Sequence, residues 1–394
     1  MGILTRYVFF DLVKVFVLTL SVMTLMMFLG LMGKEAVDSG LGLGGLLRLT
    51  PYILPEAMQF TLPGALLLAT TGVYGRIAAS NEVIAVKSLG ISPMTLVWPT
   101  ISFSIVVSLA AVLLNDLAVS WGRSGRERVL LESMETVAYN QLRTRGSFSM
   151  GPVSVNVRGV DGTVLIGPTI VREAHGNKPS SIITADSAEF RLYPDEGKLE
   201  VPLKNAELVS GEAIEVIGGD QTLELSLDDL LGRSNSTRSP SNYALSEIAG
   251  AKREQLRLID DLEQDMTTRA AYALVTGEFD ELGEDQWREQ QRSLASAENR
   301  LARFQTEPYR RWSNGFSCFA FALVGVPVAI IFRKGEFLAS FFICFLPILI
   351  AYYPLFMGSM VLAKSGTIPP QTVWIANLVL ILCGLWLTRR IIRY

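Results

Sequence analysis

Six stretches of the chain carry no Lys, Arg, Asp or Glu: residues 15–33, 57–75, 88–115, 313–332, 337–363 and 365–388. Each meets or approaches the ~20 apolar helical residues needed to cross a hydrocarbon layer ~30 Å thick. Pro63, Pro327, Pro347 and Pro354 fall inside them. Spanning helices tolerate proline where neighbours re-satisfy the freed backbone groups. Long buried helices of a water-soluble protein are the competing reading, and six such runs weigh against it. The first run is too long for a cleaved leader and no small-residue cleavage site follows it.

Between the third and fourth runs the pattern changes twice. Residues 145–231 alternate with a period of two. "SVNVRGVDGTVLIG" puts Val153, Val155 and Val157 on one face before the turn "VDGT", and "ADSAEFRLYPDEGKLEV" repeats the design with "PDEGK" as its turn. Such alternation, broken at Asp-Gly and Glu-Gly, predicts antiparallel strands. Several in succession predict a sandwich or jelly roll. Residues 243–304 are charged and helix-forming. Leu256, Ile259 and Met266 mark one apolar stripe, and Trp287, Leu294 and Leu301 mark a second at seven-residue spacing. "TGEFDELGED" separates the two. This predicts a helical hairpin or short coiled-coil insertion; two amphipathic helices packed on the base of the strand domain fit equally well. "GRSNSTRSPSN" (232–242) is a linker by composition.

The predicted fold class is six transmembrane α-helices plus an extracytoplasmic all-β, jelly-roll-like domain with a helical insertion. The predicted division is 1–121 for the first three spans, with a short helix at about 80–89 inside it; 122–144 for a connecting helix; 145–231 for the β domain; 232–311 for linker and hairpin; and 312–394 for the last three spans.

Composition agrees with two solvents. Hydrophobic residues make up 49% of the 394 and charged residues 19%, below the roughly 25% of a soluble globular chain. A net charge of -3 gives no electrostatic reason to expect a nucleic-acid partner. The distribution of basic residues is more informative. Arg6, Arg76, Lys87, Arg333, Lys334, Arg389, Arg390 and Arg393 flank spans on one side of a six-span arrangement; Lys34, Arg48 and Lys364 flank them on the other. The positive-inside bias places both termini in the cytoplasm and residues from about 122 to 311 outside, in a periplasm if the cell has two membranes. Asp11 and Lys14, one helical turn apart, are expected to pair at the interface. Cys318, Cys344 and Cys383 all lie within spans, where neither a disulfide staple nor a metal knuckle is expected. His175, in "REAHGNKP", is the single histidine and is expected in a loop.

The polar interruption between the second and third runs reads "RIAASNEVIAVKSLGISP" (76–93). Ser80 or Asn81 is placed to cap a short helix, Glu82 suits its first turn, and Gly90 with Pro93 ends it. About ten residues rise only ~15 Å and are marginal alone in water. The helix needs a surface: the membrane interface, the protein's own spans, or another protein that pushes on it. Residue chemistry leaves all three open.

This stretch resembles the coupling helix of the LptF/LptG family of lipopolysaccharide transport permeases. "LTRYVFFDLVKVFVLTL" is similar to that family's opening, and "YRRWSNGFSCFAFALVGVPVAIIFRKGE" to its approach to the fourth span. The order of these motifs, the count of spans and the strand-rich segment between spans three and four carry the resemblance over most of the chain. Two features depart from it. The helical segment 243–304 is longer than in the best-known members, and "SNGFS" stands where a proline-containing stretch is common, Asn314 and Gly315 being able to bend a helix start instead.

The resemblance implies a non-catalytic permease subunit of an ATP-driven exporter of lipopolysaccharide in the inner membrane. It implies a cytoplasmic ATPase dimer that uses the ATP, a second related permease subunit and periplasmic jelly-roll bridge proteins as partners, with no cofactor bound by this chain. Glu82, Ile84, Val86 and Lys87 are then the candidate ATPase-coupling residues, and Lys34 and Arg48 the candidate head-group cations. The one near match to a nucleotide loop, "GLMGKE" (30–35), fails the G-x-x-x-x-G-K-[ST] pattern, since Phe28 holds the first Gly position and Glu35 follows Lys34. Rival readings are a permease for another envelope lipid or a lipoprotein, and a membrane-anchored scaffold or sensor. A scaffold has no use for a Glu-bearing helix between spans two and three. A membrane enzyme would need clustered His, Asp or Glu near the bilayer, and the single His175 with scattered acids gives that reading little support.

Overall fold

The computed structural model describes residues 2–39, 43–150, 153–172, 181–193, 198–210, 213–217, 221–226, 239–277, 284–332 and 337–393. His175, the "PDEGK" turn residues 194–197, most of the linker at 232–242, and Arg333 with Lys334 lie outside them. The chain forms two compact units: Met1–Leu29, Leu54–Gly122 and Pro240–Tyr394 make the first, and Gly30–Ile53 with Arg123–Ser239 make the second.

Ten α-helices are described. They are α1 (Ile3–Ser39), α2 (Leu43–Ala79), α3 (Glu82–Ser88), α4 (Met94–Leu117), α5 (Arg123–Arg145), α6 (Leu245–Thr276), α7 (Glu284–Ile331), α8 (Phe337–Pro347), α9 (Tyr353–Lys364) and α10 (Ile375–Arg393). Six helical stretches among the described residues are long and apolar enough to cross a membrane. The third begins at Met94, not at position 88, because Gly90 at φ 75 breaks the backbone ahead of it. A π-turn at Ile348–Tyr352 follows Pro347 and joins α8 to α9 within the fifth span. Proline there removes one helical N–H and displaces the ladder.

In the first unit, several hydroxyl side chains inside the spans return their protons to their own helix. Thr19 Oγ1 donates to the Val15 carbonyl at 2.9 Å and Thr71 Oγ1 to that of Leu67 at 2.8 Å. Helix α7 is central. An alanine Cβ at Gly315 would lie 2.4 Å from Val112 Cγ2 and 3.1 Å from the Ser108 carbonyl oxygen of α4. At Gly384 of α10 it would lie 2.9 Å from the Leu323 carbonyl oxygen of α7. Small residues let helix backbones approach in lipid, where dispersion rather than water drives packing. Gly315 therefore does not bend a helix start. Helix α7 runs unbroken for 48 residues, about 72 Å at 1.5 Å per residue.

The amino-terminal part of α7 pairs with α6 as a hairpin. Ile248, Gln255 and Ala273 of α6 are buried, as are Ala297 and Phe304 of α7. Trp287, Gln290, Leu294 and Leu301 of α7 are part-buried, so a three-four spacing runs from Trp287 through Ala297 to Phe304. Gln255 Nε2 donates to the Ala297 carbonyl at 3.1 Å. Of the expected stripe on α6, Ile259 and Met266 are part-buried, but Leu256 is 45% exposed and Gln255 faces in instead. A second polar network ties the last three spans. Buried Asn377 accepts from the Tyr352 hydroxyl at 3.0 Å and donates to the Ser313 carbonyl at 2.7 Å.

The second unit holds α5, the adjoining ends of α1 and α2, and twelve antiparallel strands. These are β1 (Ser147–Met150), β2 (Val153–Asn156), β3 (Gly159–Asp161), β4 (Val164–Ile166), β5 (Thr169–Arg172), β6 (Ser181–Thr184), β7 (Ser187–Glu189), β8 (Arg191–Tyr193), β9 (Lys198–Lys204), β10 (Ala206–Ser210), β11 (Ala213–Ile217) and β12 (Gln221–Ser226). One sheet runs β1-β2-β5-β6-β10-β11 and the other β12-β9-β7-β4-β3, with β8 on β9. The two are not closed into a barrel. The "VDGT" turn joins β3 to β4 with Gly162 at φ 62, a left-handed conformation that suits glycine. Val153, Val155, Leu165, Ile170, Val201 and Leu203 fill the core together with Tyr139 and Leu142 of α5. Val157 packs at its margin. The Tyr139 hydroxyl donates to the Thr163 carbonyl at 2.6 Å and accepts from the Phe190 amide at 3.0 Å, pinning the helix to the strands.

Candidate functional site

Helix α3 is only seven residues long, and its ends are set by backbone rather than by side-chain caps. Asn81 lies in the left-handed region at φ 57 and its side chain makes no capping bond. The Ser80 hydroxyl instead donates to the Arg76 carbonyl at 2.9 Å and to Glu82 Oε1 at 3.0 Å. The expected Ser80 or Asn81 cap is therefore not formed, because the left-handed turn at Asn81 carries its carboxamide away from the free amides. Gly90 N donates to the Lys87 carbonyl at 2.9 Å and Ile91 N to that of Val86 at 3.2 Å, closing the far end.

Two apolar side chains anchor the helix. Val83 and Val86 are buried in the cluster that contains Val73, Tyr74, Leu96 and Ala329. The Tyr74 hydroxyl donates to the Leu96 carbonyl at 2.6 Å beside them. Of the four candidate coupling residues, Val86 thus faces the spans. Lys87 reaches sideways, its Nζ donating to the Ile391 carbonyl of α10 at 2.7 Å. Glu82 is half-buried beside Ser80, and Ile84 is exposed. The exposed face is completed by Ala85, Ser88, Leu89 and Ile91. Leu89, 75% exposed, escaped the sequence reading, although it sits four positions after Ala85 and so on the same side.

At the same end of the first unit, Asp11 of α1 pairs with Arg76 of α2. The expected Asp11–Lys14 pair is not formed; Arg76 draws the carboxylate across to the neighbouring helix and Lys14 stays exposed.

Lys34, near the end of α1, and Arg48, in the first turns of α2, are both exposed and belong to the second unit. Among the described residues no ion pair or hydrogen bond joins them. The segment "GLMGKE" lies inside α1. Its amides are committed to a helical ladder and form no loop to cradle a phosphate.

An ionic cluster in the first unit went unnoticed in the sequence. Arg311 of α7, fully buried, places Nη1 2.9 Å from Asp116 Oδ1 at the end of α4 and donates through Nη2 to the Ser241 and Tyr243 carbonyls. Fully buried Glu307 accepts from Arg310 at 2.7 Å and from the Ser241 hydroxyl at 3.1 Å, with Lys364 Nζ of α9 at 3.5 Å. Asp116 also accepts from the Leu245 amide at 2.8 Å, so it satisfies a free donor at the start of α6. One cluster joins α4, α6, α7 and α9. Its local signal is a Glu followed by two arginines at three and four residues, the spacing of one helix face.

Among the described residues no group of three or more His, Cys, Asp or Glu is gathered to hold a metal. The sequence matches the family described as Lipopolysaccharide export system permease LptF/LptG over residues 6–390. No curated protein matched it.

Proposed function

The chain belongs to the LptF/LptG family of lipopolysaccharide export permeases, and from that premise we propose that α3 is the lever through which ATP hydrolysis reaches the spans. Members of the family are non-catalytic transmembrane subunits of an ABC transporter in the inner membrane. They bind no cofactor themselves and work with an ATPase and a partner permease. The observation that carries the proposal is the division of α3. Val83 and Val86 lock one side into the core of the spans, while Glu82, Ile84, Ala85 and Leu89 remain on the outer side of a helix too short to stand alone. A push on the outer side moves the spans because the inner side is packed without slack.

In this reading both termini and α3 are cytoplasmic and the β region is periplasmic. Arg76, Lys87, Arg389 and Arg390 gather at one end of the helical unit, as the positive-inside rule requires. An ATPase dimer takes up the exposed face of α3. Lys34 and Arg48 meet phosphates of the glycolipid, a charge-assisted contact. Among the described residues β1, β3, β11 and β12 end the sheets, and such edges offer backbone donors and acceptors for periplasmic β-domains that carry the lipid onward.

One experiment tests the lever and the head-group contact separately. Glu82→Arg is expected to lose the ATPase on co-purification and to lose transport, whereas Lys34→Asp is expected to keep the ATPase and reduce lipid extraction. Full association and transport in Glu82→Arg would remove α3 from the mechanism. Normal extraction in Lys34→Asp would remove Lys34 from the lipid path.

A further inference from the structure

Beside α3 the ends of the second, fourth and sixth spans leave a cavity of about 1010 Å³. Its lining has two chemistries. Ile84, Ile330, Ile331 and Trp386 form an apolar wall, and Lys87, Arg389 and Arg390 supply cations. No carboxylate is found among the described lining residues. Ile331 is 45% exposed and Trp386 61% exposed, so the apolar wall is open. The Arg390 guanidinium stands 5.9 Å from the Trp386 ring centroid, one helical turn along α10. Of these groups the lever proposed above involves Ile84 and Lys87; Ile330, Ile331, Trp386, Arg389 and Arg390 are left unassigned by it.

We propose that this cavity binds one anionic phospholipid, such as phosphatidylglycerol, with its phosphate among Lys87, Arg389 and Arg390 and an acyl chain along Ile330, Ile331 and Trp386. The charge selects the occupant's sign: three cations, with no carboxylate among the described lining residues, attract a phosphate. The wall selects its body. A free phosphate has no use for exposed isoleucines continuous with the spans, whereas acyl chains do. Tryptophan at a span end sits at head-group depth, and basic pockets between spans on the cytoplasmic side suit lipid head groups. The ATPase proposed above meets α3 at Ala85, Ser88 and Leu89, which do not line the cavity, and Ile84 borders both surfaces. Lys87 already bonds the Ile391 carbonyl, so a bound lipid completes a bridge from α3 to the sixth span. The leaflet assignment rests on the orientation proposed above; the binding itself does not.

The test uses the complex purified with its ATPase and partner permease in mild detergent. Native mass spectrometry follows retained lipid as dioleoyl-phosphatidylglycerol or dioleoyl-phosphatidylcholine is added. Wild type is expected to retain phosphatidylglycerol selectively. Arg389→Gln with Arg390→Gln should weaken that retention about ten-fold or more, from two lost cations near a phosphate. Arg389→Lys with Arg390→Lys should restore it, which separates charge from folding. Equal retention of the two lipids, or unchanged retention in the Gln variant, overturns the proposal. Displacement of the lipid by excess inorganic phosphate as effectively as by phosphatidylglycerol also overturns it, in favour of a phosphate site. Loss of the ATPase with lipid retention unchanged overturns it in favour of a protein occupant. A failure of Glu82→Arg to release the ATPase bears on the lever alone and leaves this binding result standing.

Discussion

At the scale of single residues, the buried Glu307–Arg311 cluster carries the sharpest energetic consequence. Both side chains are fully buried, and their charges are met by Asp116, Arg310 and Lys364 together with polar groups of Ser241 and Tyr243. Removing one partner of a buried pair strands a charge, at about 3–5 kcal/mol, whereas the intact pair adds little over apolar packing. Arg311→Met is therefore expected to destabilise by about that amount, read as a lower Tm of the detergent-purified chain. It should also loosen the start of α6, since Asp116 bonds both Arg311 and the Leu245 amide. A Tm equal to wild type would mean that the cluster is dispensable. Asn377 sits in a similar position with hydrogen bonds in place of charge, serving Tyr352 and Ser313 at once.

At the scale of elements, helix α7 is both hairpin arm and fourth span. A helix of 48 residues exceeds a ~30 Å hydrocarbon layer more than two-fold. Its register along α4 is set where Gly315 meets Ser108 and Val112 at van der Waals limits. Gly315→Leu is expected to force these helices apart and cost about 1–3 kcal/mol or more as overpacking. Gly358 of α9 has open space around its Cβ direction, so Gly358→Leu serves as the control and should leave Tm near that of wild type. Similar melting of both variants would show that α4 and α7 tolerate a wider spacing. Helix α3 depends on its neighbours in a different way. With seven residues and no side-chain cap, it is held by Val83 and Val86 against the spans and by Lys87 against α10.

At the scale of the whole molecule, the spans divide into covered and bare. The second, third and fourth have 61%, 50% and 67% of their most apolar windows buried; the first, fifth and sixth have 11%, 22% and 28%. The bare spans leave most of their apolar surface outward in the helical unit, as lipid-facing helices do. The proposed orientation is checked by labelling single cysteines in intact cells, on a background with Cys318, Cys344 and Cys383 replaced. Ser88→Cys is expected to resist a membrane-impermeant thiol reagent, and Asp161→Cys, in exposed β3, to react once the outer membrane is permeabilised. The reverse pattern would place α3 outside the cytoplasm, beyond reach of any ATPase.

Several features were written locally and could be read without a structure. Six spans follow from runs of apolar residues, because lipid admits only segments that satisfy their own backbone. Alternation around Val153 and Val155 marks strands, and the polar interval at Glu82 marks a helix, since periodicity is a property of neighbours in the chain. What tertiary structure alone decided depends on residues far apart in sequence. Asp116 and Arg311 are separated by 195 positions and Lys87 and Ile391 by 304. No local pattern turns Val86 inward, draws Asp11 to Arg76 rather than to Lys14, or sets three cations around an apolar cavity. Those outcomes follow from which helices pack together, and packing is decided by shape and charge across the whole bundle at once.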